Sequence, residues 1–444
     1  MPEKICQTGD TMNNLKNKTV YLPMAADVIN SGHLNIIKEA KKYGKITVGL
    51  FTDVAIAEYK SLPLINYEQR YEIIKNVKGI NKIIKQDTWD FTRNLKRLKP
   101  DFLIHGNDWK EGIQKNIRKK AIKTLKIWGG RLIEIPYSKN TSISKIHQKV
   151  KSLYFNSESR VSRLKRLMES KNIVRVLEAH NSLSGLIIEN LKLVKNKKFL
   201  EFDAMWSSSL TDSAIRGKPD NQSVDYSTRI SGLNEILDVT NKPLVFDADN
   251  GGRIEHLPYL IRGLERAGVS AVVMEDKIGL KKNSLFKNQE GIKQDSINNF
   301  CKKLKKANDS KFSPDLLVIA RIESLILGKS MRDALKRAEA YSQAGADAIL
   351  IHSKQKNSKE IFLFAKKFCK SKYYKPLVAV PSTYSKTYEK DLIKNKFKIV
   401  IYANHLLRAA YPAMVEVAKK ILTNQRSFDA EKKISSIKEV INLI

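Results

Sequence analysis

Residues 271–286, AVVMEDKIGLKKNSLF, begin as an unbroken apolar run and finish in Glu275, Asp276, Lys277, Lys281, Lys282 and Asn283. A short run apolar on both faces is the pattern of a strand in a parallel sheet, where helices cover each side. The charged residues then fall at the carboxyl end of that strand. Seven other runs share the plan: IVRVLEAHN (173–181), FLEFDAMW (199–206), PLVFDADN (243–250), LLVIARIE (316–323), AILIHS (348–353), LVAVPS (377–382) and IVIYANH (399–405). Between them lie helical patterns such as HLPYLIRGLERAG and SMRDALKRAEAYSQAGA, each closed by a glycine stop signal. Eight strands alternating with helices predict a (β/α)8 TIM barrel over residues 173–444. In that architecture the active site gathers at the carboxyl ends of the strands, where these polar residues sit.

The first half has a different layout. TVYLPMA, KITVGLF, KIIKQ, DFLIHG and RLIEIP alternate with helical stretches between residues 18 and 150, the rhythm of a small doubly wound, Rossmann-like sheet. Residues 151–172 read as a polar linker turning into a first helix. The fold class is therefore α/β, a small parallel-sheet domain followed by a barrel.

The chain has 444 residues, a formal charge of +35, 42% apolar and 8% aromatic residues. No run approaches the roughly 18 apolar residues a membrane span needs. The opening MPEKICQTGDTMNNLKNK lacks the apolar core of a signal peptide, and Cys6, Cys301 and Cys369 are too scattered for a disulfide framework or zinc site. A reducing cytoplasm without membrane attachment is expected. The positive charge is spread along lysine-rich helix faces rather than clustered, so attraction of small anionic substrates is expected and no specific nucleic acid; a basic nucleic-acid-binding protein is the non-enzymatic alternative.

Three carboxylates, Asp247 and Asp249 in FDADNGG and Glu275 on the next strand, can converge, since positions two apart on a strand share a face. An oxygen-only set suits a hard divalent cation, Mg2+ above all, which retains waters and binds jointly with an anionic substrate. Arg321 offers a planar fork for a carboxylate or phosphoryl group, and His352 a hydrogen bond or a mobile proton.

Together, EDKIGLKKNS, FDADNGG, MWSSSLTDS, RIES and ILIHSK resemble the phosphoenolpyruvate mutase branch of the isocitrate lyase and phosphoenolpyruvate mutase superfamily, from about Ile173 onward. The resemblance implies a Mg2+-dependent rearrangement of phosphoenolpyruvate to phosphonopyruvate, the entry to phosphonates. It implies that Asp247 ligates Mg2+ directly while Asp249 and Glu275 act through bound water. Trp206, Ser208, Ser209 and Leu210 would line the pocket around the substrate carboxylate. Arg321 and His352 would hold the phosphoryl group and bridging oxygen, and Asp220 matches the proposed nucleophile, with a dissociative transfer as the competing mechanism. Residues 277–285 would form the gating loop, bringing Lys281 and Asn283 to the migrating group.

The absence of a cysteine in the loop separates this chain from isocitrate-lyase-like members, and Asn283 favours a mutase over a phosphonopyruvate hydrolase, in which threonine is usual. Ser209 replaces a common glycine, and the loop's IGL an aromatic and proline pair. A hydrolase or carbon–carbon lyase on the same barrel is the alternative enzyme. Members of the family associate as tetramers through their last helix, so a homo-oligomer is expected, for which the terminal EKKISSIKEVINLI could serve.

The first half resembles cytidylyltransferase-like nucleotidyltransferases in NSGH at 30–33, in YEQRYEIIKNVKGINKII, in LIHGNDW and in SKNTSISK. The resemblance implies a site for CTP or another nucleoside triphosphate at Asn30, His33, Arg70, Asp108, Ser142 and Ser144. It departs from the family at Asn30, where the HxGH motif carries its first histidine.

Overall fold

The computed structural model describes residues 17–59, 61–110, 114–136, 157–195, 198–279, 281–284, 289 and 291–443. The chain divides into two compact units, residues 1–154 with 194–199 and residues 155–193 with 200–444.

The first unit holds five parallel strands, β1 (Thr19–Met24), β2 (Lys45–Phe51), β3 (Ile80–Gln86), β4 (Phe102–Gly106) and β5 (Arg131–Ile135), in the order β3-β2-β1-β4-β5. The order reverses between β1 and β4, and ligands of doubly wound sheets bind at such a switch point. The central strand β1 is buried from Val20 to Met24, as a strand covered on both faces must be. Helix Ser31–Ala40 follows β1 and packs Ile37 and Ala40 onto the sheet.

The second unit is a closed barrel of eight parallel strands. They are β6 (Val174–Glu178), β7 (Ala204–Ser207), β8 (Leu244–Asp247), β9 (Ala271–Glu275), β10 (Leu317–Ile322), β11 (Ala348–Ile351), β12 (Leu377–Ala379) and β13 (Phe397–Tyr402). Each pairs with the next in sequence, and β13 closes onto β6. Every expected run supplies a strand; β13 begins two residues ahead of its run, at Phe397, and one run changes more. FLEFDAMW is split: Lys198–Glu201 forms a two-stranded sheet with Lys192–Lys195, and the barrel strand starts only at Ala204. The polar Asp203 marks the break, because its carboxylate accepts from the Arg175 backbone N–H (2.9 Å) and meets Lys171.

The helix expected after the linker runs from Ser157 to Ser170 and belongs to the barrel unit: Arg160 donates to the carbonyls of Leu237 and Thr240 (3.1 and 3.2 Å). The closing helix His405–Asn424 has no buried residue, leaving Tyr411, Met414 and Leu422 exposed. None of the helices among the described residues is long and apolar enough to cross a membrane.

Candidate active site at the carboxyl end of the barrel

The strand ends deliver their side chains to one cavity. It is lined by Trp206 from β7, Ser208, Ser209 and Leu210 after it, Asp247 from β8, Glu275 from β9, Arg321 from β10 and His352 after β11. Asp220, Lys281, Asn283 and Ser284 complete it from the connecting segments. All the barrel residues expected from sequence except Asp249 therefore line a single pocket, and Asp249 lies buried beside it.

Asp247 and Asp249 come together differently from the expected strand alternation. Strand β8 ends at Asp247, and Asp249 stands in the following turn with φ of 50°, the left-handed region that non-glycine residues rarely enter. The turn is held by the Asp249 N–H donating to Asp247 Oδ1 (3.2 Å). Gly251, at φ 77°, lies under Met274, whose sulfur would be 2.9 Å from an added Cβ, so the turn needs glycine there. Strain of this kind is kept where function over-determines it.

The segment beyond β9 folds down onto the carboxylates. Lys281 Nζ pairs with Asp220 (2.9 Å) and contacts Asp249 Oδ1 and Ser209 Oγ. The Ser209 hydroxyl donates in turn to Asp247 (3.0 Å), and Asn283 donates to the second oxygen of Asp220 (2.9 Å). Residues 280 and 285 of the expected gating loop, 277–285, lie outside the described residues.

On the opposite side, Arg321 donates through Nε to Glu323 (2.6 Å) and lies 3.5 Å from both Glu275 and the His352 ring. The His352 Nε2 is buried and has no hydrogen-bond partner among the described residues, nor does the indole N–H of Trp206, so both are available to a ligand in the pocket.

This crowding of charge sets the protonation states. Burial favours the neutral form of Asp247, yet Lys281, Arg321 and Arg229 outweigh it and hold the carboxyl below its usual range. Burial wins at Asp249, which is raised, and at Glu275, pushed up to about 7. Burial opposes charge on Lys281 as well, but Asp247, Asp249 and Asp220 keep the ammonium firmly protonated. His352 is pushed down to about 3, first by burial and then by Arg321, so it is a neutral imidazole at physiological pH. It is a hydrogen-bonding group here, not a cation.

Sequence reading missed three supporting residues. Arg229, fully buried in helix Tyr226–Asp238, donates to Asp212 (2.9 Å) and to the Asp247 carbonyl (2.6 Å) and lies 3.7 Å from Asp249. Its signal was an arginine in register with Leu233, Ile236 and Leu237 on the buried stripe of that helix. Glu323 and Lys277 pair at 3.3 Å beside Arg321 and Glu275, and had been read only within RIES and as the start of the gating loop.

No group of three His, Cys, Asp or Glu side chains among the described residues is arranged to grip one metal ion directly. The donor set nonetheless fits a magnesium ion held by one carboxylate and waters, since Asp247 is held toward its ionised form on a pocket wall that also offers the Glu275 carboxyl and the Ser208 and Ser209 hydroxyls.

In the first unit a second cavity sits at the β1/β4 switch point, lined by Gly32, His33, Trp89, His105 and Gly106 among others. Two expectations need correction. Asn30 does not present its oxygen to the cavity as a phosphate contact: its Oδ1 caps helix Ser31–Ala40, accepting from the N–H groups of Gly32 (3.0 Å) and His33 (3.2 Å). Arg70 is fully buried and does not line the cavity. Its guanidinium donates to the carbonyls of Ala25 (2.5 Å) and Ile65 (3.3 Å) and to Asp53 (2.6 Å), tying helix Tyr67–Lys75 to the end of β1. Asp108 falls in the turn Asn107–Trp109, and Ser142 and Ser144 lie outside the described residues. A residue not foreseen, His105, stacks on Trp109 (3.9 Å between ring centroids) at the cavity edge.

Comparison with known proteins gives two matches along the chain. The phosphoenolpyruvate phosphomutase family matches residues 164–422, and the cytidylyltransferase-like family residues 25–149. A phosphoenolpyruvate phosphomutase of Tetrahymena pyriformis is 35% identical over 65% of this chain and 93% of its own length. A phosphonopyruvate hydrolase of Variovorax sp. is likewise 35% identical, over 63% of this chain and 93% of its own. Among solved structures, a phosphonopyruvate hydrolase in complex with oxalate and Mg2+ superposes with a TM-score of 0.57 at 33% identity, covering 64% of this chain and 94% of that one.

Proposed function

The chain belongs to the phosphoenolpyruvate phosphomutase family, and from that premise we propose that its barrel moves the phosphoryl group of phosphoenolpyruvate from oxygen to carbon, giving phosphonopyruvate. The observation that carries this reading is the closure of Lys281 and Asn283 over Asp220, opposite Arg321 and His352, in one buried pocket. A magnesium ion would be held by Asp247, with Asp249 and Glu275 acting through water, and would neutralise charge on the substrate oxygens.

The protein's own groups perform the rest. Lys281, Asn283 and Arg321 supply donors around the three phosphoryl oxygens, and the neutral His352 offers Nε2 to the bridging oxygen. The phosphorus–oxygen bond breaks, leaving its electron pair on the enolate. The enolate carbon then bonds to phosphorus, so no proton is gained or lost. Water must be kept away meanwhile, because it would capture the same group. Asp220 has both oxygens engaged by Lys281 and Asn283, which suits it to aligning those donors and favours the dissociative route over a phosphoenzyme.

Incubating the protein with phosphoenolpyruvate, Mg2+ and a decarboxylase that traps phosphonopyruvate, followed by phosphorus NMR, tests the reading. A phosphonate signal supports it. The hydrolase relative has the same 35% identity, so the second reading is hydrolysis, and release of inorganic phosphate from added phosphonopyruvate without any phosphoenolpyruvate would establish that instead. Asn283→Ala removes a neutral donor from the edge of the pocket, so folding should be spared and turnover should fall by about 100-fold; an unchanged rate would remove Asn283 from the chemistry.

For the first unit we propose binding of CTP or a related nucleoside triphosphate at the switch-point cavity, next to His33. The Asn30 cap occupies N–H groups that a phosphate would otherwise use, so Asn30 has to turn aside and nucleotidyl transfer should be slow. Calorimetric titration with CTP and Mg2+ should show binding that His33→Ala weakens about tenfold. Equal affinity in the variant would move the nucleotide elsewhere.

A further inference from the structure

The segment that covers the barrel pocket is pinned at its base. Lys277–Ile278 pairs antiparallel with Lys293–Gln294, and the buried Asp276 carboxylate accepts from Gln294 (2.9 Å), Tyr341 (2.7 Å) and Arg337 (3.2 Å). Asn283 and the next residue, Ser284, both line the pocket, and Ser284 reaches the groups on its far wall. Its hydroxyl donates to Glu323 Oε2 (2.6 Å) and accepts from Lys277 Nζ (2.8 Å) and Arg321 Nη2 (2.8 Å).

A serine hydroxyl has one proton to give and two lone pairs to offer, so this junction uses its full capacity. Lys277, Ser284 and Glu323 are only 4%, 4% and 0% exposed. Water is thus a poor substitute for any of the four partners, and a saturated network in such surroundings fixes geometry firmly. Glu323 also grips Arg321 through its other oxygen (2.6 Å), while Lys277 lies 3.4 Å from Glu275. The residue adjoining Asn283 is therefore wired to the arginine on the far wall of the pocket.

We infer that Ser284 is a positioning residue whose three-way junction with Lys277, Glu323 and Arg321 latches the covering segment, fixing Asn283 and Arg321 together so that the transferring phosphoryl group meets carbon and not water. The inference rests on the mutase reading. Loosening the latch should change the fate of the group as well as its speed. Water oxygen would bond to phosphorus as the phosphorus–carbon bond of phosphonopyruvate breaks, and the electron pair left on carbon would take a proton, giving pyruvate and inorganic phosphate.

The test supplies phosphonopyruvate and Mg2+ to the full-length wild type, Ser284→Ala, Ser284→Thr and Glu323→Gln, and reads phosphoenolpyruvate and phosphate by phosphorus NMR. In parallel, trypsin cleavage after Lys281 and Lys282 is timed on the proteins without substrate. Ser284→Ala should form phosphoenolpyruvate about 100-fold more slowly, with a higher ratio of phosphate to phosphoenolpyruvate and faster cleavage. Glu323→Gln should shift the ratio in the same direction, and Ser284→Thr, which keeps the hydroxyl, should restore most of the wild-type ratio. A Ser284→Ala protein with wild-type ratio and cleavage rate overturns the latch even if it is slower. A wild type that makes no phosphoenolpyruvate defeats the mutase reading instead, and the cleavage rates then judge the latch separately.

Discussion

Asp247→Ala is expected to abolish measurable interconversion of phosphoenolpyruvate and phosphonopyruvate, a loss of at least about a thousand-fold, while the barrel still folds. Asp247 ends strand β8 at the wall of the pocket and stays ionised there because Lys281, Arg321 and Arg229 together outweigh its burial. A carboxylate held in its charged form is the oxygen ligand a magnesium ion requires. Removing it forfeits several kcal/mol of charge stabilisation, and each 1.36 kcal/mol is about tenfold in rate. The fold should survive, since Lys281 keeps Asp220 and Asp249 as partners and only the Ser209 and Asp249 N–H contacts are lost. Phosphorus NMR gives the rate and magnesium titration by calorimetry gives the cause. Activity within tenfold of wild type, or unaltered magnesium affinity, would remove Asp247 from the metal site.

Arg229→Ala should have the largest effect on stability, a loss of about 3–5 kcal/mol, because it breaks a buried ion pair and strands the partner. Arg229 is 2% exposed, and its guanidinium lies over the Phe246 ring at 4.2 Å while bonding Asp212 and the Asp247 carbonyl. Without it the buried Asp212 carboxylate keeps, among the described residues, the Ser207 hydroxyl alone (2.9 Å). Arg229→Lys keeps the charge but not the fork that spans Asp212, the Asp247 carbonyl and Asp249, so it should recover part of the loss. Urea unfolding followed by circular dichroism measures both. A cost below about 1 kcal/mol for the alanine variant would mean that Asp212 finds another partner, against the geometry described.

The positions of the barrel strands were written locally. An apolar run ending in charge, such as AVVMED or LLVIARIE, places a strand and its polar end without knowledge of its neighbours, and eight repeats leave one closed architecture. That also made Asp247, Glu275, Arg321 and His352 legible as site residues, because the fold carries strand ends to a common place. FLEFDAMW was misjudged in its bounds because Asp203 binds the Arg175 backbone, a partner that the run itself does not reveal.

What only tertiary structure decided are the contacts between segments distant in sequence. Lys281 meets Ser209 across 72 positions and Asn283 meets Asp220 across 63, and neither contact exists until the barrel is closed. Asp249 reaches its place through a left-handed turn rather than by strand alternation, and Asn30 turned out to cap its own helix, as short polar side chains do when a free N–H lies nearby. The roles of Arg229 and Glu323 were not legible in the sequence for one reason. The worth of a buried charge depends on the groups that surround it, and those are assembled by packing, whereas the alternation that sets a strand is carried by the strand itself.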